Sequence, residues 1–541
     1  MASGPARQSS VRTASCAVRN LPVAGSEGPE TLERRIRSAA IRGVFWVSGE
    51  RVTTRIVDQI FTLVLARILS PSDFGLVALA VVFTGFLQSF SQMGLGAAII
   101  QRKEIDEGHL SSAFWAQMSV AVLLVLVAAA GSGLFSTFTR EPTVGTVALI
   151  LSLGFMLTAG SAIQIAVISR VMEYRRLVVR TFIATFVGGV VGVLMAWSKM
   201  GVWSLAGQML TVSGITTALL YRSASWRPRF YFSWPKFREL WAFGMPLVVA
   251  RLLTFFIRYS DNLLIGRYLG ASALGYYSVA YTLFTAPFTD LIVLGNQVMT
   301  SALSRLQGAA DQFKTAFLTA TRYVALVALP AVLGMALLAR LQIKAMFGAG
   351  WLPASPVLSI LAVAGFISLM LALGPSALQA AGHSRLQLRW TTISLFVYIP
   401  AFVIGLRWQI IGVAAGYLVA TVLLTPILYR YVARVTGVTL RELANALWPA
   451  LAGCAVMVVV VAVAEQVLVN TVGPRIPTLV ALIIIGVLVY AATIWFVRRD
   501  VVHELLGLLR EAQSDAGRMP PGLIVSKTQS VTSPATEHGD G

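Results

Sequence analysis

Charged and polar side chains interrupt an apolar, helix-length stretch at residues 48–75. Four of them recur at spacings of four, three and four residues and therefore share one face of a helix: Arg51, Arg55, Asp58 and Thr62. An arginine or aspartate at the centre of a membrane-spanning helix costs about 2.5–3.5 kcal/mol on insertion scales. Such residues usually face a bundle interior or a water-filled cavity, so this face is predicted to line a transport pathway.

The same stretch has a counterpart later in the chain. A shift of 200 residues aligns ARILSPSDFG at 66–75 with GRYLGASALG at 266–275. A shift of 215 residues aligns AIQIAVISR at 162–170 with ALQAAGHSR at 377–385. The two matches come in the same order and at nearly equal shifts, which indicates an internal duplication. Two copies with an even number of spans keep the same orientation, so a pseudo-two-fold axis along the membrane normal is expected.

The second copy carries a charged face of its own, at spacings of three, four and three residues: Arg251, Thr254, Arg258 and Asp261. Together the two faces hold more arginine than acid, since Arg51, Arg55, Arg251 and Arg258 are only partly balanced by Glu50, Asp58 and Asp261. A cavity with net positive charge favours an anion, and guanidinium groups suit phosphate oxygens. The alternative is that these charges form internal ion pairs that only fix helix packing, which leaves the excess of arginine unexplained.

The composition indicates an all-α polytopic membrane protein. The chain has 541 residues, of which 57% are hydrophobic and 12% charged. Apolar runs of about 20 residues, the length that crosses roughly 30 Å of hydrocarbon, recur between residues 41 and 497. We predict about fourteen spans, at 42–69, 75–99, 110–138, 144–169, 176–197, 201–221, 239–268, 273–301, 316–340, 353–381, 387–406, 410–429, 445–469 and 478–497.

Lysine and arginine are concentrated in the loops that follow even-numbered spans, so both termini are predicted to be cytoplasmic. The same rule accounts for the net charge of +20 without a nucleic-acid partner. The predicted organisation is a polar tail, a six-helix N-lobe, a basic and aromatic cytoplasmic linker, a six-helix C-lobe, two appended helices and a second polar tail, with boundaries at 1–40, 41–222, 223–238, 239–434, 435–500 and 501–541.

No pattern of catalytic or metal-binding residues is recognisable. The sequence contains no Walker A motif and no Ser/His/Asp or Cys/His arrangement. The four histidines fall in predicted loops or in the tail, where we expect them to be solvated. Cys16 and Cys454 lie in a tail and in a span, so a disulfide is not expected. We therefore predict no enzymatic activity, no catalytic residue, no metal and no cofactor. The pair Gly188-Gly189-x-x-Gly192 is predicted to be a helix-packing face.

Several motifs resemble a known family. LARILSPSDFGLVALAVVF (65–83), QMGLGAAIIQR (92–102), HLSSAFW (109–115) and LLIGRYLGASALGYYSVAY (263–281) are similar to the polysaccharide transporter family of the MOP flippase superfamily, and in particular to its Wzx-like lipopolysaccharide and exopolysaccharide exporters. The resemblance covers most of residues 42–440. It implies two six-helix lobes around a cavity, and flipping of undecaprenyl-diphosphate-linked oligosaccharide across the bacterial inner membrane by alternating access, for O-antigen, capsule or exopolysaccharide synthesis.

The resemblance gives each polar residue a hypothetical role. The four arginines would bind the diphosphate, and four amides would bind sugar hydroxyls: Gln88, Gln92, Asn296 and Gln297. One acid among Asp58, Asp261 and Asp290 would carry a coupling proton or sodium ion. The expected partners are the lipid-linked oligosaccharide, membrane lipids, a polysaccharide polymerase and chain-length proteins. Arg67 and Arg267 lie at the outer ends of their helices and are expected to extend their charges to the membrane interface.

Three alternatives differ in what they require. A cation-coupled drug exporter of the MATE type needs acidic cavity walls, which the arginine excess contradicts. A membrane polymerase or ligase usually needs a large outer loop, and every predicted outer loop is short. A peptidoglycan lipid II flippase shares the fold and the substrate chemistry, so the sequence separates it least well.

Overall fold

The computed structural model describes residues 53–91, 95–101, 105–170, 174–223, 226–285 and 310–497. Within these ranges the chain forms helices joined by short turns and no strands. In chain order the α-helices are α1 (53–68), α2 (Pro71–Ser91), α3 (Leu95–Gln101), α4 (Glu107–Thr139), α5 (Pro142–Ser152), α6 (Gly154–Arg170), α7 (Tyr174–Trp197), α8 (Val202–Ser223), α9 (Trp234–Leu269), α10 (271–285), α11 (Ala310–Met346), α12 (Ala354–Leu369), α13 (Gly374–Ala380), α14 (Ser384–Gly405), α15 (Gln409–Thr436), α16 (Leu440–Thr471) and α17 (Ile476–Val497).

The chain is a multi-pass membrane protein. Nine segments of the described chain are long and apolar enough to cross a membrane. One of them, Arg385–Thr436, has 52 residues and folds back on itself as the α14–α15 pair. Two of the predicted spans, 42–69 and 273–301, extend beyond the described residues, so the total of fourteen stays a prediction.

Consecutive helices pack as antiparallel pairs through small residues. On α7, Gly188 and Gly192 face Val212 and Gln208 of α8, and a Cβ atom at residue 188 would overlap the Val212 side chain. Small residues let two helix backbones approach closely where lipid offers no hydrophobic driving force. The predicted packing role of this glycine pair is therefore confirmed.

The appended pair α16–α17 packs against α11. The Tyr490 hydroxyl of α17 donates a hydrogen bond of 2.8 Å to the carbonyl oxygen of Leu326 on α11. Gly453 on α16 lies against the ring of Tyr490. An apolar cluster that includes Leu338 of α11 and Leu482 of α17 fills the same interface. These two helices thus extend the second part of the chain.

The first half (residues 53–223) and the second half (residues 234–436) meet where α1 turns into α2 and α9 turns into α10. A Cβ atom at Gly75 on α2 would overlap the carbonyl oxygen of Ala271, and one at Gly275 on α10 would overlap the carbonyl oxygen of Pro71. The two contacts are reciprocal, because each glycine receives the first residue of the opposite helix. Leu79 of α2 also belongs to the large buried cluster of the second half.

The segment 226–233 packs on the first half. Trp226 is buried in a cluster with Phe114 of α4, and the Trp115 ring stacks on Phe230 at 4.9 Å between ring centroids. The Trp115 indole N–H donates a hydrogen bond of 2.8 Å to the carbonyl oxygen of Arg229. The helix α9 begins at Trp234, within the predicted linker 223–238.

An ionic cluster attaches the start of α9 to the start of α4. Asp106 caps α4 through the backbone N–H of His109, and Lys236 of α9 donates a hydrogen bond to the Asp106 carboxylate. Burial alone would raise the pKa of Asp106, but hydrogen bonds from Lys236 and His109 outweigh that effect and lower the pKa to about 2. The expectation that His109 is solvated is wrong, because its ring lies 2.7 Å from Asp106 and 3.7 Å from Glu239 and its side chain is 14% exposed.

Candidate functional site

The charged face of α1 is separate from its lipid-like face. Arg55 and Asp58 are half-buried and interact electrostatically one turn apart. Ile56, Ile60 and Val64 form an exposed apolar stripe on another face of the same helix. The helix therefore offers an apolar surface to lipid and a polar surface to the protein side. Arg51 lies outside the described residues.

The charged face of α9 is exposed at mid-helix. Thr254 and Arg258 lie one turn apart, and both side chains are exposed. Arg251 lies on the same helix, one turn before Thr254, and the structure describes its backbone. The span 239–268 is predicted to cross the membrane, where an exposed polar stripe is costly next to lipid and is typical of a water-filled cavity wall.

An aromatic seam joins α2 to this part of α9. Phe86 lies 5.8 Å from Phe255 and 5.9 Å from Phe256 between ring centroids. A Cβ atom added at Gly85 would lie 3.3 Å from the Phe255 ring, so the glycine makes room for this ring. Gln88, half-buried and two residues beyond Phe86, is thereby brought to the level of the polar stripe of α9. The remaining predicted site residues lie outside the described ranges: Gln92, Asp290, Asn296 and Gln297.

Asp261 lies among helices of the second half, apart from the exposed stripe. It is 3% exposed. One carboxylate oxygen accepts a hydrogen bond of 2.8 Å from the Tyr277 hydroxyl, and the other accepts one of 2.7 Å from the Asn262 backbone N–H. Within the described ranges no lysine, arginine or histidine forms an ion pair with it. Helical spacing had placed Asp261 on the same face as Arg258, but α10 covers it.

Tyrosines surround this acid, and the sequence analysis did not single them out. The Tyr277 and Tyr281 rings stack at 6.3 Å on α10, and the Tyr398 and Tyr417 rings stack at 5.3 Å between α14 and α15. A buried tyrosine hydroxyl usually requires a hydrogen-bond partner, so tyrosines in the middle of apolar spans were the available signal. Of these hydroxyl groups, that of Tyr277 donates to the Asp261 carboxylate, and Tyr281 and Tyr417 lie near enough to interact with it electrostatically.

No other arrangement in the described chain suggests a metal centre. Within the ranges that the structure covers, no three histidine, cysteine, aspartate or glutamate side chains are grouped to hold a metal ion.

The structure gives Arg67 a partner in the second half. Its guanidinium group donates hydrogen bonds of 2.9 Å and 2.7 Å to the carbonyl oxygens of Met346 and Ala345, at the end of α11. Arg67 thus binds the second half, and its predicted place at the membrane interface stays a prediction. Arg267, its counterpart under the 200-residue shift, lies over the Phe138 ring at 5.3 Å.

Proteins with similar sequences are named for polysaccharide biosynthesis. The family described as "Polysaccharide biosynthesis protein" matches residues 64–356, more than half of the chain. The succinoglycan biosynthesis transport protein ExoT of Rhizobium meliloti is 28% identical over 60% of this chain and 65% of its own length. The match thus spans less than two thirds of the length of ExoT. The lipopolysaccharide biosynthesis protein WzxC of Escherichia coli is 24% identical over 76% of this chain and 85% of its own length.

The fold has solved counterparts. The lipid II flippase MurJ, in an inward closed conformation, superposes with a TM-score of 0.67 at 16% identity, covering 85% of this chain and all of that one. This likeness establishes the fold alone. The sequence relatives, which include WzxC, confirm the predicted resemblance to Wzx-like polysaccharide transporters. The chain therefore belongs to the polysaccharide biosynthesis protein family.

Proposed function

We propose that this protein flips undecaprenyl-diphosphate-linked oligosaccharide from the cytoplasmic to the outer leaflet of the bacterial inner membrane, for surface polysaccharide synthesis. Its relatives include a succinoglycan transport protein and a lipopolysaccharide biosynthesis protein. Such a substrate combines a diphosphate, a glycan and a long apolar tail. The chain performs transport without covalent chemistry.

The observation that carries this proposal is the arginine-bearing polar stripe at mid-helix. Arg258 and Thr254 are exposed on α9, and Arg55 lies on the polar face of α1. Guanidinium groups bind phosphate oxygens through paired hydrogen bonds, so these residues with Arg51 and Arg251 suit a diphosphate. Gln88, with Gln92, Asn296 and Gln297, supplies amides for sugar hydroxyls.

The reciprocal glycine contacts support two lobes related by a pseudo-two-fold axis. Gly75 receives Ala271, and Gly275 receives Pro71, at positions that differ by 200 residues. Alternating access would rock the two lobes about the substrate, with the prenyl tail in lipid between them. Both termini lie in the cytoplasm in this arrangement, and a polymerase and chain-length proteins receive the product on the outer side.

Coupling to an ion gradient would use Asp261. Its burial beside Tyr277 makes an uncompensated negative charge costly, so binding of a proton or a cation is linked to the state of the second half. Asp58 is less suited because Arg55 already lies beside it. Asp290 remains the third candidate.

The test is transport in cells that lack the native protein. Arg55→Ala with Arg258→Ala is expected to abolish surface polysaccharide, while the matched variant Arg340→Ala, which removes an exposed arginine of α11, is expected to restore it fully. All variants are quantified in the membrane fraction. Unchanged polysaccharide in the double variant would refute the diphosphate site.

The substrate class is tested in proteoliposomes. Flipping of a prenyl-diphosphate oligosaccharide is read as exposure to a membrane-impermeant lectin. Transport of a prenyl-diphosphate peptidoglycan precursor alone would assign the chain to lipid II flipping, and transport of an organic cation alone would assign it to drug export. Either result would overturn the proposed substrate.

A further inference from the structure

Two helices end against side chains of the opposite half. The guanidinium group of Arg67, at the end of α1, binds the carbonyl oxygens of Ala345 and Met346 in the last turn of α11. The indole N–H of Trp351, in the turn after α11, donates a hydrogen bond of 2.8 Å to the carbonyl oxygen of Ala66 in the last turn of α1. We call these two side chains and their three acceptors the end lock.

The acceptors are groups that a helix cannot satisfy alone. The last four carbonyl groups of an α-helix have no partner within the helix and carry its partial negative charge. Arginine near a helix C-terminus satisfies such carbonyl groups and interacts favourably with the helix dipole. In the end lock each half supplies the donor that caps a helix of the other half.

The end lock is packed as well as hydrogen-bonded. Trp351 is 3% exposed, and its ring contacts Phe74 of α2 at 5.3 Å and Tyr276 of α10 at 5.9 Å between centroids. Phe74 and Tyr276 adjoin the two glycines at which α2 and α10 touch. The indole ring therefore lies at the place where the halves are closest.

Every one of these bonds crosses between the halves. A contact that exists in only one of two states stabilises that state, relative to the other, by the free energy of the contact. The end lock consequently favours the arrangement in which the halves touch at this end, and it must break when they separate there.

We propose that Arg67 and Trp351 lock the two lobes together on the outer side of the membrane, and that breaking the end lock is the step that opens the pathway to that side. This inference rests on the proposed function, which supplies two lobes and alternating access. It assigns the closed state of the outer end to two residues that lie away from the arginines of the substrate site.

The experiment measures accessibility and needs no substrate. The native Cys16 and Cys454 are replaced, and Ala271→Cys places a reporter at the contact between the halves, where residue 271 is 6% exposed. A membrane-impermeant maleimide is added from the outer side of cells expressing the full chain. Arg67→Ala and Trp351→Phe are each expected to raise the labelling rate of the reporter, on the order of fivefold or more.

Matched variants separate the lock from general loosening. Arg340→Ala removes an exposed arginine from the same helix whose end Arg67 caps, and labelling is expected to stay unchanged. Arg67→Lys keeps the charge without the forked donors and should give an intermediate rate. Arg267→Ala, which removes contacts with the Phe138 and Tyr268 rings, should have a smaller effect than Arg67→Ala.

A second reporter cysteine tests whether a variant has lost its fold. Ala362→Cys, fully buried in α12, should remain unlabelled in every variant. Labelling at residue 362, or an Ala271→Cys rate that is the same in Arg67→Ala, Trp351→Phe and Arg340→Ala, would overturn the end lock. Labelling is measured without transport, so unchanged labelling rates in Arg67→Ala and Trp351→Phe would leave the proposed substrate untouched. If the labelling rates rise as expected but the unsubstituted protein transports no lipid-linked oligosaccharide, only the proposed function fails.

Discussion

Asp261 is a buried acid whose charge has no cation beside it in the described chain. Burying an ionised carboxylate is unfavourable unless it is paired or hydrogen-bonded, and here two hydrogen bonds offset part of that cost. Binding of a proton or a cation would neutralise the charge of this buried carboxylate and remove that cost. An isosteric change to asparagine therefore removes the charge and keeps one oxygen that can accept the bond from the Asn262 backbone N–H, although the amide NH2 cannot accept the bond from the Tyr277 hydroxyl.

Asp261→Asn is expected to reduce ion-driven transport at least tenfold, because the amide cannot gain or lose a coupling charge. Tyr277→Phe removes one hydrogen bond to a charged group, worth about 1.5–3 kcal/mol, and should weaken transport less. The measurement is flipping in proteoliposomes with and without an imposed gradient. Asp311→Asn, at an exposed acid in the first turn of α11, serves as the control. Gradient-dependent flipping that survives Asp261→Asn would exclude this residue from coupling.

The contact between Asp106 and Lys236, in the first turn of α9, depends on pH. Its pKa falls from an ordinary value of 3.8 to about 2, since the bonds from Lys236 and His109 outweigh the effect of burial. A lowered pKa in the folded state means that the carboxylate stabilises the fold above pH about 4. That stabilisation is lost as the pH falls through about 2.

Asp106→Asn should therefore lower the unfolding temperature of the detergent-purified protein at pH 7. The difference from the unsubstituted protein should shrink steadily between pH 4 and pH 2. Thermal unfolding followed by intrinsic fluorescence provides the measurement, and Asp311→Asn is the matched acid. A difference that stays constant over this range would show that the Asp106 carboxylate does not stabilise the fold through its charge.

At the scale of helices, the contact between α2 and α10 leaves no room for a side chain. Gly75→Ala and Gly275→Ala would each press a methyl group into a backbone carbonyl of the opposite helix. Overpacking of this kind typically costs about 1–3 kcal/mol. Each variant should lower the unfolding temperature, and the pair together should cost little more than one, because one separation of the helices relieves both overlaps.

Gly214→Ala on α8 is the control, since a Cβ atom there meets no atom within 4 Å. It should raise the unfolding temperature slightly or leave it unchanged, because alanine is favoured over glycine in a helix interior by about 0.5–1 kcal/mol. Equal destabilisation by Gly75→Ala and Gly214→Ala would mean that the loss of glycine itself matters, and not the contact between the halves.

Hydropathy predicted most of the described helices because membrane spans are long apolar runs. The repeat placed Gly75 and Gly275 at equivalent positions, and the structure adds that each touches the start of the other's helix. The sequence could not indicate that α10 covers Asp261, because which neighbour buries a helical face depends on tertiary packing. The partners of Arg67 could not be predicted for the same reason, since its acceptors lie 278 and 279 residues away.

At the scale of the whole molecule, basic residues gather at one end of the helices. One end carries the linker between the halves and the turn between α15 and α16, with Arg222, Arg227, Arg229, Lys236, Arg238, Arg430, Arg434 and Arg441. The turns at the opposite end hold few, such as Lys199 between α7 and α8 and Arg475 between α16 and α17. Lysine and arginine in short loops are retained on the cytoplasmic side. From this distribution we expect the end lock to face outward and the linker to face inward.

This orientation predicts opposite labelling of two exposed positions. In a chain lacking Cys16 and Cys454, Ser198→Cys should react with an impermeant maleimide added to intact cells, because residue 198 lies in the exposed turn between α7 and α8. Arg227→Cys, in the exposed linker, should react only after the inner membrane is opened. Detergent-solubilised protein should label at both sites, which shows that each cysteine is reactive. Labelling of Arg227→Cys in intact cells would reverse the orientation, and the end lock would then close the pathway on the cytoplasmic side.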